Sequence, residues 1–294
     1  MTATIERLAI IGTGLIGGSL ARALREADAV DEVVGYSRHP GNIQKAVDLG
    51  VIDRGCISIA EAAEDADVVV VATPVGVIEQ VFAELLPVIH EDMVITDVGS
   101  VKQDIIQCAR ARLGNAFSCF VPGHPIAGTE HSGIEASFAE LFDNHNVILT
   151  PVEETDPVAV ARIETMWEVT GARVETMDAA DHDEVMAACS HAPHVLAYAL
   201  VDLLVRQDNH REIFRFAAGG FRDFTRIASS SPDMWRDISL HNRHALTRVL
   251  TDYRDNLDDI IQMIQSRDGD ALRDTFHRAK HARDEYFLNR KKET

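Results

Sequence analysis

Basic charge is scarce in this chain. Lys and Arg number 28 against 47 Asp and Glu, for a formal net charge of -19. Binding to nucleic acid needs a basic face to neutralise phosphates, so that class of partner is excluded. An anionic substrate would be repelled at long range and must be held by a few local cations. Screening beyond about 8–10 Å at physiological salt makes that workable. Cysteine is scarce too. Cys56, Cys108, Cys119 and Cys189 show no paired spacing, so neither a disulfide framework nor a metal site is expected, only reduced and mostly buried thiols. No apolar run approaches the roughly 20 residues of a membrane span. Glu6 and Arg7 interrupt the order a signal peptide requires. Internal repeats and low-complexity segments are missing as well. What remains, 294 residues with 46% apolar and 26% charged side chains, is an ordinary globular composition with room for two domains. The expectation is a cytoplasmic enzyme with a small-molecule substrate and no membrane partner.

The first half reads as alternating strands and helices. Leu8-Ala9-Ile10-Ile11 runs directly into Gly12-Thr13-Gly14-Leu15-Ile16-Gly17, and a helix opens behind it. This is a dinucleotide fingerprint in its required setting. Gly12 serves the tight turn, Gly14 lets backbone approach a pyrophosphate, and Gly17 allows close packing of helix on strand. The helix N-terminus around Leu15 and Ile16 offers unpaired amides to the phosphates. The second strand, Val33 to Tyr36, ends at Ser37-Arg38, where an NAD site usually carries a carboxylate for the ribose. A missing carboxylate beside a guanidinium favours NADP; a solvated Arg38 in a plain turn is the competing reading. Val68 to Ala72 is a buried parallel strand broken by Thr73-Pro74, at the carboxyl edge where such sheets bind ligands. Met93 to Val98, Val147 to Thr150 and Ala172 to Met177 add strands, and Asp156-Pro157 caps a helix ending at Gly171.

Strand signals stop near Asp178. Apolar residues then recur at helical spacing from Asp181 to Val205, and a long helix is predicted from Ser231-Pro232-Asp233 with one continuous stripe. Trp235, Ile238, Ala245, Val249, Tyr253, Leu257, Ile260 and Ile264 compose it. Such a stripe needs a partner, and a second copy is the natural one. The predicted fold is therefore α/β, a Rossmann-type doubly wound sheet over residues 1–178 followed by an all-α domain over 179–294 for substrate and dimerisation.

Three polar clusters could carry chemistry. Gly123-His124-Pro125-Ile126-Ala127-Gly128, continuing to Gly133, reads as a rigid loop with one imidazole in it. His124 suits proton transfer near neutral pH. Ser100, at another strand end, could orient the same substrate oxygen or simply cap a helix. Ser190-His191-Ala192-Pro193-His194 has two histidines three apart but no third metal ligand, so a hydrogen bond from His194 to a substrate carboxylate is preferred to a metal site. Gly219 to Ile227 contains Arg222 and Arg226 between aromatics, a candidate carboxylate clamp. Arg226 precedes apolar Ile227-Ala228 and is expected to point inward; Arg222 is expected outside.

In this order GTGLIGGSLA, DVGSVK, GHPIAGTEHSG, SHAPH and GGFRDFTRIA resemble the prephenate/arogenate (cyclohexadienyl) dehydrogenases of tyrosine biosynthesis over nearly the whole chain. The glycine fingerprint is common to many families, whereas HPIAG together with DFTRIA is specific. The resemblance implies NAD(P)-dependent oxidative decarboxylation of prephenate or arogenate. It implies that His124 holds the ring hydroxyl with Ser100, that His194 and Arg226 bind the substrate, and that the protein is a homodimer. No metal is implied, and the length suggests no appended mutase or regulatory domain. Another dehydrogenase of similar architecture, or a silent NAD(P)-sensing module, would not need His124, Ser100 and Arg226 together.

Overall fold

The computed structural model describes residues 5–129 and 131–288; Glu130 and the charged tail from Arg290 to Glu293 lie outside the described residues. The first strands and helices alternate as their apolar periodicity dictates. They are β1 (Ile5–Ile11), α1 (Leu15–Glu26), β2 (Val30–Tyr36), α2 (Pro40–Asp48), β3 (Arg54–Gly55), α3 (Ile59–Ala63), β4 (Val68–Val71), α4 (Ile78–Leu85), β5 (Val94–Asp97), α5 (Gln103–Leu113) and β6 (Phe120–Val121). The six strands form one parallel sheet in the order β3-β2-β1-β4-β5-β6. That order reverses direction between β1 and β4, which places a ligand crevice outside their carboxyl ends.

Burial explains why these strands lack polar alternation. Val68 and Val70 of β4 enter one apolar cluster, with Leu8, Ile10 and Val33, and Val69 and Val71 enter another, with Ala9, Ile11 and Ile95. Successive side chains face opposite sides of a sheet, and here helices cover both sides.

At Pro122 the chain leaves this sheet. β7 (Gly123–Pro125) pairs antiparallel with β8 (Asn146–Leu149), which pairs parallel with β9 (Arg173–Thr176) across α6 (Pro157–Glu168). The expected loop at Gly123 to Pro125 is therefore a short strand. β7 lies at the edge of its sheet, where the missing N–H of Pro125 disrupts no interior ladder.

Among the described residues the elements after β9 are all helices: α7 (Ala179–Met186), α8 (Ala192–Val205), α9 (His210–Arg215), α10 (Gly219–Thr225), α11 (Pro232–His241), α12 (Arg243–Ser266) and α13 (Gly269–Leu288). Between α7 and α8, Ala187–His191 winds as a π-helix. Pro193, which cannot donate four residues back, follows at once, and the wider turn takes up the mismatch. The stretch Ala179–Val205 is long and apolar enough, by length and composition only, to cross a membrane, contrary to expectation. Three of its polar groups, His182, Asp183 and His191, are buried in this protomer, while Asp181, Glu184 and Asp202 are exposed.

The single helix predicted from Ser231 is broken at Asn242. That residue leaves helical geometry at φ -105°, ψ 31°, and its amide reaches back to the Asp183 carbonyl at 2.8 Å and to His191 Nδ1 at 3.1 Å. A side chain recruited for tertiary hydrogen bonds ends the helix there. Two compact units follow along the chain, residues 1–245 and 246–294. In the second, the apolar side chains of Leu257 and Ile264 lie more than 40% exposed.

Candidate active site

His124 sits on β7, paired in register with Ile148. Its Nδ1 lies 2.9 Å from His182 Nε2, and His182 Nδ1 lies 2.9 Å from Asp183 Oδ1. The carboxylate can only accept, so His182 carries its proton on Nδ1. His182 Nε2 is then a lone pair, and His124 must donate from Nδ1. The chain of three groups leaves His124 Nε2 as a free base aimed away from the relay.

Electrostatics support that state. Burial, then the neighbouring His182, Lys102 and His191, hold the His124 pKa well below 6.5. Burial also lowers His182, against the opposing pull of Asp183. For Asp183, burial pushes the carboxyl up, but the His182 hydrogen bond and the backbone amides of Gln103 and Lys102 outweigh it and leave the pKa lowered. Those amides lie 3.0 Å and 2.8 Å from the carboxylate oxygens. The result is an ionised Asp183 behind two neutral imidazoles.

A second group of side chains adjoins the first. His194 stacks on Trp235 with centroids 3.6 Å apart and planes 20° from parallel, and its Nδ1–H donates to the Ser190 carbonyl at 2.9 Å. Burial lowers the His194 pKa, the Ser190 hydrogen bond opposes that, and the charge of Arg226 lowers it further. His191 is fully buried and its pKa falls to about 4, chiefly through burial. Asn242 donates to its Nδ1, so Nε2 carries the hydrogen; the Ser100 backbone acts weakly on this ring, but no hydrogen bond of normal geometry reaches Nε2.

The residues expected from the sequence fall into place unevenly. Ser100 lies on the loop after β5, two residues before Lys102, which is the residue that precedes α5; Ser100 is not its cap. Arg226 is exposed, like Arg222, and the inward orientation expected for it is not found. Ile227 and Ala228 take the half-buried positions of that turn, leaving Arg226 at the rim beside His194. Neutral His194, with Nδ1 committed to Ser190, offers a lone pair at Nε2, so the expected carboxylate contact does not suit it. Sequence reasoning missed His182, Asp183 and Asn242 altogether and read Trp235 as core. His182-Asp183 reads like any polar pair in an acid-rich first helical turn.

The glycine loop fits a dinucleotide. Gly12 has φ +110°, and a side chain there would meet the Ala72 carbonyl at 2.5 Å. A side chain at Gly17 would strike the Gly12 carbonyl at 2.6 Å, whereas Gly14 faces space with nothing within 4 Å. α1 has no side-chain cap, so the Leu15, Ile16 and Gly17 amides lack helical partners. The buried hydroxyls of Thr13 and Thr73 also lack partners. Donors without acceptors around an open cradle suit a pyrophosphate and ribose. Pro74 leads into the turn that follows β4, and at the end of β2 Ser37 is half-buried and Arg38 exposed. Among the described residues no group of three or more potential metal ligands occurs.

Comparison with known proteins agrees with this geometry. The family profile "Prephenate dehydrogenase, nucleotide-binding domain" matches residues 20–176, and "Prephenate dehydrogenase, dimerization domain" matches residues 178–278. The chain is 40% identical over 282 residues to the cyclohexadienyl dehydrogenase of Zymomonas mobilis, covering 95% of each. It is 37% identical over 295 residues to the prephenate dehydrogenase of Bacillus subtilis, covering 97% of this chain and 77% of that one. A solved prephenate dehydrogenase from A. aeolicus, in complex with hydroxyphenyl propionate and NAD+, superposes with a TM-score of 0.91 at 37% identity, over 97% of this chain and 99% of the other. Fold and sequence agree: the chain belongs to the prephenate dehydrogenase family of NAD(P)-dependent oxidoreductases.

Proposed function

We propose that the protein oxidises and decarboxylates prephenate to 4-hydroxyphenylpyruvate, with His124 as the base. The observation that carries this reading is the 2.9 Å contact of His124 with His182, itself 2.9 Å from Asp183. His124 Nε2 takes the proton of the ring C4 hydroxyl. The positive charge that forms on His124 is stabilised through His182 by the Asp183 carboxylate, with no need for Asp183 to be protonated. A bound nicotinamide cofactor would supply the hydride acceptor for C4. Loss of carbon dioxide from C1 then aromatises the ring, so the protein's task is positioning and deprotonation.

Other residues take supporting parts. Ser100 would share the C4 oxygen with His124. Arg226 would meet a carboxylate at the rim, where it is the local cation that a chain of charge -19 requires. His194 Nε2 would accept a hydrogen bond from a donor on substrate or cofactor. Gly12, Gly14 and the amides of Leu15, Ile16 and Gly17 would hold the pyrophosphate, with Thr73 and Pro74 beside it. We further infer a division of labour near residue 178, a homodimer formed through the helical half, and a cytoplasmic location. The free state of all four cysteines supports a reducing compartment.

Arogenate is the second reading of the substrate, favoured by the similarity to a cyclohexadienyl dehydrogenase. For the cofactor, Ser37 and Arg38 favour NADP, because no carboxylate closes β2 and a guanidinium suits a 2′-phosphate. NAD(P)H formation should be measured with prephenate, with arogenate and with neither, using both cofactors, in wild type and Arg38→Ala. Turnover with prephenate and a several-fold loss of NADP preference in Arg38→Ala are expected. No turnover of either substrate overturns the function; an unchanged cofactor ratio overturns the NADP reading alone.

A further inference from the structure

A fully buried ion pair lies directly behind the base, and the proton-transfer steps make no direct use of it. Lys102 and Asp97 are both completely buried, with Lys102 Nζ 2.5 Å from Asp97 Oδ2. Desolvating two charges costs about as much as their attraction returns, and an apolar pair is often no less stable. Stability alone therefore gives little reason for this pair to be here.

Its hydrogen bonds give another reason. Asp97 Oδ1 accepts from the Gly123 amide at 3.1 Å, and Lys102 Nζ donates to the Gly123 carbonyl at 2.6 Å. The two poles of one ion pair thus grip both backbone groups of the residue that precedes His124. Asp97 is itself pinned by the Gly99 amide at 2.7 Å. The backbone amide of Lys102 donates to Asp183 Oδ1 at 2.8 Å, the same oxygen that receives His182. A single residue therefore touches both ends of the relay, the strand that carries His124 and the carboxylate that orients His182.

We propose that Lys102, paired with Asp97, is a positioning residue for proton transfer: it fixes the Gly123 peptide and the Asp183 carboxylate in one frame, and so sets the contact between His124 and His182. The proposal rests on His124 being the base. Lys102 also faces the imidazoles as a charge. The titratable groups around His124 are His182, Lys102 and His191, and those around His182 include Asp183 and Asp97. Within this set Lys102 opposes a proton on either imidazole.

The test uses the full-length protein as Lys102→Met, which keeps the backbone amide, and as Asp97→Asn/Lys102→Met, which removes both charges and leaves the core neutral. Thermal melts report folding, and kcat, KM for both reactants and the pH profile are measured beside wild type and His124→Asn. In either folded variant kcat is expected to fall about 10–100-fold, with KM for the cofactor changed less than about twofold. In Lys102→Met the acid limb of the profile should move upward, because a cation opposing the imidazolium has gone, and it should move less in the double variant, which also removes the Asp97 carboxylate. A folded variant with wild-type kcat and an unmoved acid limb overturns the proposal, as does failure of both variants to fold, which would assign the pair to the core. If His124→Asn turns over normally, the base assignment fails first, and that result is distinct from either.

Discussion

The two halves of the site are built from different materials. The cofactor side is made of backbone: a turn that only glycine fits at Gly12, an open approach at Gly14, and helix amides at Leu15 to Gly17. The proton-transfer side is made of side chains collected from distant segments. His124 comes from an edge strand, His182 and Asp183 from the first all-helical segment, and Asn242 from a helix break about 60 residues later. A backbone site can be written in six consecutive residues. A side-chain site exists only after the chain has folded, and its chemistry depends on burial that no local pattern records.

The contrast can be broken first at its strongest point. His124→Asn should lower kcat by roughly 10²–10⁴-fold, the usual contribution of general acid–base catalysis, while cofactor binding stays intact. Parallel stopped-flow turnover and cofactor titration would measure it; a nearly normal kcat would remove His124 from the chemistry. Asp183→Asn comes next. It puts an amide in place of a carboxylate that receives His182 and two backbone amides, so the relay should lose its fixed tautomer and kcat should fall about 10²-fold. An effect on cofactor affinity in place of kcat would mean that the two halves are not separate.

This difference also decides how much could be read beforehand. The parallel sheet was legible because Val68 to Val71 carry no alternation, and the nucleotide loop was legible because glycine spacing encodes turn, approach and packing directly. His124 stood out as a lone imidazole among glycines and prolines, although its strand did not, since proline and glycine masked an edge pairing. Asp183 was not legible at all. The role proposed for it rests on near-complete burial and on amides contributed by a loop about 80 residues earlier. Arg226 misled for a related reason: flanking apolar residues suggested an inward turn, but Ile227 and Ala228 occupy that side themselves.

The smallest effect is expected at that rim. Arg226→Ala should raise KM for the substrate about tenfold, roughly 1.4 kcal/mol, since an exposed guanidinium is partly screened. Arg222→Ala, exposed on the same turn, should change it less than about twofold. Steady-state kinetics on both variants separate a substrate contact from a helix–helix turn, and equal small effects would place the carboxylate clamp elsewhere.

The central claim is that His124 is held as a neutral base by its surroundings, and the pH dependence of kcat/KM for the wild-type enzyme tests it most directly. A group with its pKa lowered keeps its base form to lower pH than an ordinary histidine does. Burial, with His182, Lys102 and His191 as neighbours, places the pKa well below 6.5. The rate should therefore stay level as pH falls through 6.5 and decline only below it. A rate already halved at pH 6.5 or above would contradict the account, because it would give His124 the proton affinity of an imidazole in water.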